Sequence, residues 1–378
     1  MGVARKKKRV ENLSPIDRIS ALPDELVRQI LGLMPTLDSV RTSVLSKRWN
    51  KLWTSVPNLD FNDLRDFPND NADNDVQLRR PRCDRFVRFV GTVLYTRDSK
   101  DIGKFSLSVR RPHHLAVIDD WISVAVRRNV VDLKFTNVLE TTSFSIPRCL
   151  LMCKTLIVLG LHVWDFDFAT DPIPTSVCFP SRKVLRVSVS SDNLHLMGKL
   201  FSCCPVLEDL TIGGKVNIGD TDIGYNFNVA VPEVKKLNMC LPVGMARKGS
   251  RNIDVKDSKA ENPPQFLSCA IVLLVAVSDV KYLSLAAPWS KVAECERRYP
   301  RCDWNLPKDV PICLLSNLKT ISIKGFKGQW AEREIAEYLL MNGLSLHKML
   351  IYTDGVFAVR DFHKEFSNMT GLVEFIQM

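Results

Sequence analysis

The residue types that carry most enzymatic and metal chemistry are all present in this chain, and their spacing decides what they can do. Histidines stand at positions 113, 114, 162, 195, 347 and 363. None falls in a His-x-x-x-His or His-Glu-x-x-His arrangement, which would set two imidazoles on one helical face around a metal. Cys149/Cys153 and Cys203/Cys204 lack a second pair, or histidines, at zinc-ligand distance. Gly213, Gly214, Gly219 and Gly224 would cradle a phosphate only within Gly-x-Gly-x-x-Gly or ahead of Gly-Lys-Ser/Thr, and neither pattern occurs; nor does the Gly-x-Ser-x-Gly of a nucleophile elbow. The acidic run from Asp70 to Asp75 has the flavour of a calcium loop, but its sixth position is Asp75 instead of glycine and its twelfth is Pro81 instead of glutamate. The expectation is therefore a chain with no catalytic residue, no metal and no cofactor, whose chemistry is that of binding.

Composition narrows the setting. The chain has 378 residues, 46% of them hydrophobic, a net charge of +10 and 11 cysteines. Its length exceeds one ordinary compact core, so several domains or an elongated repeat array are expected. No apolar stretch of signal-peptide length follows the N-terminal residues, which points to a reducing compartment for the thiols. The apolar run Cys269 to Val277 is too short to span a bilayer. The one dense basic cluster, Arg5, Lys6, Lys7, Lys8 and Arg9, is a nuclear-import candidate, and the expected localisation is nucleus and/or cytoplasm. The remaining basic residues are spread along the chain, so nucleic acid is not an expected partner.

The elements that would carry a binding surface can be placed next. Leu22-Pro23 followed by Asp24 and Glu25 reads as a helix start, with proline where a missing N–H is harmless and negative charge at the positive end of the dipole. Leu26, Ile30, Leu33 and Met34 recur at spacings of three and four until Pro35 stops the helix. Thr36 is placed to cap a second helix carrying Leu37, Val40 and Val44, and Ser46 a third carrying Trp49, Leu52 and Trp53. Three helices this short cannot bury so many large apolar groups against one another, so part of that face needs a partner. Residues 68–82 are rich in Asn, Asp and Arg and read as an exposed linker.

Beyond the linker one pattern keeps returning: an apolar residue, two of any type, an apolar residue, one of any type, an apolar residue. It appears at Ile102/Phe105/Leu107, Val130/Leu133/Phe135, Leu156/Leu159/Leu161, Val184/Val187/Val189, Leu207/Leu210/Ile212 and Val234/Leu237/Met239, every 23–28 residues. Val280/Leu283/Leu285 and Leu318/Ile321/Ile323 follow after longer gaps. That period belongs to leucine-rich repeats, each unit giving one short strand and a returning helix or loop. Trp121 to Arg128 and Leu194 to Phe201 supply helical return segments.

With these residues laid out, the segment DRISALPDELVRQILGLMPTLDSVRTSVLSKRWNKLW, Asp17 to Trp53, resembles the F-box of the plant F-box/FBD/leucine-rich-repeat proteins. WISVAVRRNV from Trp121, CKTLIVLGL from Cys153 and CPVLEDLTI from Cys204 are similar to that family's repeats, and WNLPKDVPICLLSNLKTISIKGFKG from Trp304 to its FBD module. The resemblance implies an α/β fold, with a three-helix F-box followed by a leucine-rich-repeat solenoid, or horseshoe, ending in the FBD module. The expected spans are 1–14 basic tail, 15–61 F-box, 62–82 polar linker, 83–300 repeats and 301–378 FBD module. It also implies a non-catalytic substrate-recognition subunit of an SCF-type (Skp–cullin–F-box) E3 ubiquitin ligase. A Skp-type adaptor would contact Leu22, Pro23, Leu26, Ile30, Leu31, Val40, Val44, Leu45, Trp49 and Trp53, with a cullin scaffold reached through it, and the repeats would recruit an unknown protein for ubiquitination. Several of those ten must instead hold the helices together. A repeat scaffold or regulatory binding module working outside any ligase is the alternative. Two stretches depart from the family pattern, Gly213 to Val231 and Ala286 to Arg301, and would leave a shortened repeat body with an uncovered apolar edge.

Overall fold

A computed structural model of the chain describes residues 19, 21–67, 76–99, 101–109, 115–137, 143–169, 179–188, 194–214, 233–240, 274, 277–286, 310–328, 330–353 and 372–377. The cluster Arg5–Arg9, the acidic run from Asp70 and the two departing stretches, apart from their first residues, lie outside them.

The head begins with α1 (Asp24–Leu31), entered through Pro23, whose carbonyl accepts the Val27 N–H at 3.1 Å. Asp24 and Glu25 occupy its first turn, where carboxylates complement the helix dipole. After Pro35 comes α2 (Thr36–Arg41), which tightens into a 3₁₀ turn at Thr42–Val44; then α3 (Trp49–Leu52), a single turn, continues as a second 3₁₀ turn at Trp53–Ser55. Ser46 caps as its position predicts, its hydroxyl accepting the Trp49 N–H at 3.3 Å. Thr36 does not cap its own helix. Its hydroxyl accepts the Asp60 N–H at 2.7 Å, fastening α2 to the strand that follows.

That strand, β1 (Asn58–Asn62), opens a parallel sheet. It is followed by α4 (Asp63–Asp66) and the long α5 (Val76–Thr96), so part of the expected linker is helical. Then come β2 (Lys104–Val109), α6 (Leu115–Arg127), β3 (Asp132–Asn137), β4 (Ser143–Ile146), α7 (Arg148–Leu151), β5 (Val158–His162), β6 (Asp165–Phe168) and β7 (Val184–Ser188). The rest are α8 (Leu194–Ser202), β8 (Asp209–Gly213), β9 (Lys236–Cys240), β10 (Tyr282–Ala286), α9 (Ile312–Ser316), β11 (Thr320–Phe326), α10 (Trp330–Asn342), β12 (Lys348–Thr353) and β13 (Val373–Gln377). Eleven strands pair in the order β1-β2-β3-β5-β7-β8-β9-β10-β11-β12-β13, while β4 and β6 form a separate parallel pair. Chain order thus equals spatial order, as one-strand-per-repeat stacking requires.

Register explains the period. Leu59, Phe105, Leu133, Leu159, Leu185 and Leu210 are successive cross-strand partners, as are Phe61, Leu107, Phe135, Leu161, Val187 and Ile212 two residues on, and all are buried. Alternation sends the residues between them to the opposite face. Three residues before each inner position a further buried side chain closes the core: Val56, Ile102, Val130, Leu156, Leu207, Val234, Val280, Leu318 and Leu346. Two copies escaped the sequence reading, Val56/Leu59/Phe61 and Leu346/Met349/Ile351, and one was misregistered. Val184 points to the half-exposed face, and the true unit there is Arg182/Leu185/Val187. The reason is chemical: a guanidinium fills the apolar position, so an apolar pattern slides past it.

The two departing stretches do not interrupt the ladder. β8 pairs directly with β9, and β10 directly with β11, with Leu283 opposite both Leu237 and Ile321.

Candidate functional site

The head has a small core of its own, Val27, Leu31, Trp49, Leu52 and Val56, with Leu22, Met34 and Trp53 packed against it. Val27 and Leu31 form one stripe of α1, four residues apart. Leu26, Ile30 and Leu33 form a second stripe that faces away from this core; Leu26 and Ile30 are each 44% exposed and Leu33 is 88% exposed. Val44 and Leu45, at the end of the 3₁₀ turn after α2, stand 85% and 66% exposed. Isolated exposed apolar residues need no explanation, but two of them at the end of one turn and a stripe along one helix do.

The ten residues matched by the resemblance therefore divide. Pro23, Leu26, Ile30, Val44 and Leu45 are exposed; Leu22, Val40 and Trp53 are partly buried; Leu31 and Trp49 are buried. Burial removes Leu31 and Trp49 from any rigid docking surface, because their side chains are spent on holding α1 to α3. Val40 leans instead on the main core under the sheet. Leu33 belongs with the exposed set; its four-plus-three spacing from Leu26 was legible, but the family motif did not carry it.

The two signatures of the head are joined by one side chain. Arg48 pairs with Asp24, its Nε 2.7 Å from Oδ1, and its Nη2 donates to the Leu22 carbonyl, so the Leu-Pro start of α1 is clipped to the Ser-Lys-Arg-Trp run. Arg97, at the end of α5, donates to the Val56 carbonyl at 2.6 Å and to the Asp101 carbonyl at 3.4 Å. Burial, with Arg128 adding to it, pushes its guanidinium down to about 10, still charged at neutral pH. It locks the exit of the head to the first repeat.

A second surface is the outward face of the sheet, where each strand offers alternate side chains to solvent. Among the described residues no group of three or more His, Cys, Asp and Glu gathers as metal ligands, and no helix is long and apolar enough to cross a membrane. Cys149 is half-buried, Cys153, Cys203, Cys204 and Cys313 are buried, and Cys240 is exposed, all as free thiols.

Comparison with known proteins places names on these parts. The F-box domain profile matches residues 19–61, the profile described as FBD-associated F-box protein At5g56370, LRR repeats, matches 118–239, and the FBD profile matches 306–351. Putative FBD-associated F-box protein At5g56440 of Arabidopsis thaliana is 27% identical over 419 residues, covering 89% of this chain and 92% of that protein. F-box/FBD/LRR-repeat protein At5g56420 of the same plant is 25% identical, covering 89% and 91%. F-box protein At1g60400 is 38% identical over 207 residues, which is 53% of this chain and 46% of that protein. The chain thus carries matches to an F-box, to leucine-rich repeats and to an FBD segment in that order, and over most of its length it is similar to plant F-box/FBD/LRR-repeat proteins.

Proposed function

We propose that this chain is the substrate-recognition subunit of an SCF-type E3 ubiquitin ligase. Its short helices act as a three-helix F-box that docks a Skp-type adaptor, and through it a cullin scaffold. The repeats form a horseshoe whose outward strand face recruits a protein for ubiquitination, and the chain itself supplies no catalytic group. The basic cluster Arg5–Arg9 directs a nuclear pool beside a cytoplasmic one.

The observation that carries this reading is the second apolar stripe of α1, continued into the turn just beyond it. Leu26, Ile30 and Leu33 turn away from a head core that is already complete, inside the segment matched by the F-box profile. Exposed Pro23, Val44 and Leu45, with partly buried Leu22, Val40 and Trp53, are the other adaptor-facing candidates. Burying a side chain of this size at an interface is worth about 1.5–3 kcal/mol, so two charged replacements are enough to abolish docking.

The test is Leu26→Asp together with Ile30→Asp in the full chain, co-expressed with a Skp-type adaptor. Recovery of adaptor should fall at least about tenfold, while the circular dichroism spectrum and melting temperature stay near those of the unaltered chain, since neither side chain belongs to the core. Undiminished adaptor recovery would sink the docking claim.

A further inference from the structure

On the outward face of the sheet, Lys134, Gly160 and Arg186 are directly opposite one another on β3, β5 and β7. Gly160 lies flat between the two cations, and its place is covered by the Lys134 stem: a Cβ there would meet Lys134 Cγ at 3.4 Å. Strands are spaced about 4.8 Å apart, so side chains as long as lysine and arginine two strands apart can close on one group above the glycine. His162 is the next outward residue on β5, two positions beyond Gly160. Burial, and then the Lys134 charge, lower its pKa, so the ring is held toward its neutral, hydrogen-bonding form and feels that ammonium directly. Lys134, Arg186 and His162 are all exposed, and none has an ion pair among the described residues. By contrast Lys104 on the neighbouring strand pairs with Asp132 at 3.7 Å.

We infer that Lys134, Arg186 and His162, arranged around Gly160, form a notch that takes one carboxylate from an acidic, extended segment of a client protein. This rests on the reading of the repeats as the client-recruiting surface. Lys134 and Arg186 stand on one sheet face on either side of Gly160, and a carboxylate placed between them would face both cations while accepting hydrogen bonds from the guanidinium fork. Immediately beside the notch, Val158 and Val184 are cross-strand partners and half-buried. The acidic residue therefore sits next to an aliphatic one in the client. A nucleic acid fits less well, because it needs a track of cations along the face, whereas the same row continues as Ser106 on one side and Thr211 on the other.

The probe is a displayed library of random dodecapeptides selected against the full chain co-expressed with its adaptor. The unaltered protein should enrich Asp or Glu beside Val, Ile or Leu at least about tenfold over the input. Lys134→Glu with Arg186→Glu should reverse the preference to Lys or Arg, a gain that a misfolded variant cannot show. Gly160→Ile, which lifts the Lys134 stem without changing charge, should lose most of the enrichment. Adaptor recovery is read in parallel: the notch variants keep it and the Leu26→Asp, Ile30→Asp chain loses it, so the docking claim and the notch fail separately. The notch is overturned by unselective enrichment, by the same peptides emerging from the reversed variant, or by oligothymidine competing the acidic peptides away.

Discussion

Position 182 is where the repeat rule and the side chain disagree. The other repeats place Val, Ile or Leu there; this one places an arginine that is 0% exposed, its Nε and both Nη atoms without a hydrogen-bond partner, stacked 4.2 Å from the Phe179 ring centroid. Burial pushes the guanidinium down to about 10, with Cys204 and Cys153 pulling weakly the other way. A depressed pKa on a cation means that the folded state binds its proton less tightly than the unfolded chain does, so at neutral pH the buried charge works against the fold. Arg182→Met keeps the length, removes the charge, and should raise the urea midpoint with the slope unchanged. The difference between variant and parent should be constant at neutral pH and narrow above about pH 10, as the parent sheds the proton. A lower midpoint in the variant would show that the cation–π contact outweighs the desolvation. The same residue explains a failure of legibility: the strand over 184–188 was visible in the sequence, its register was not, because the anchor of the unit is a residue type that no hydrophobic pattern includes.

Among elements, legibility followed the source of the signal. Strands β2, β3, β5, β8, β9, β10 and β11 were each marked by three apolar residues whose spacing the ladder imposes, and helices α6 and α8 by their own periodicity. β1 was hidden because Val56, Leu59 and Phe61 follow directly on the helical head and read as its tail. The division of the docking list was hidden for a different reason: both stripes of α1 are apolar, and only the position of α3 decides that Leu31 faces in and Ile30 faces out. Thr36 shows how an element is held by a contact no local pattern announces. Its hydroxyl is the partner of the Asp60 N–H, and the residue is 4% exposed. Thr36→Val preserves shape but strands that half-buried donor, at a loss of about 0.5–1.5 kcal/mol. Amide exchange at Asp60 should accelerate, whereas exchange in β5 and β7 should not; uniform loss of protection would mean that head and sheet unfold as one.

At the scale of the whole molecule, head and repeats share a strand. All of β1 but its last residue lies within the F-box match, yet the strand is the edge of the eleven-stranded sheet, with Leu59 opposite Phe105 and Phe61 opposite Leu107. Arg97 and Thr36 pin the same junction from either side. Cutting the chain at the border of the F-box match is therefore a poor test of whether the repeats work alone, since it also bares a row of unpaired backbone groups on β2 and takes two core side chains from the sheet. A chain begun at residue 63 loses Leu59 and Phe61, each worth about 1.5–3 kcal/mol of burial. It should melt several degrees lower, as about 1 kcal/mol shifts a domain of this size by roughly 2–4 °C, and should scatter more light at equal concentration. The Leu26→Asp, Ile30→Asp chain should do neither, although both changes remove the proposed docking stripe. If the chain begun at residue 63 keeps the full melting temperature and stays monomeric, β1 belongs to the head alone and the repeats are an independent body. If it does not, any loss of binding on removing the head reports a damaged sheet, and only the surface substitutions can separate the proposed ligase docking from the proposed client recognition.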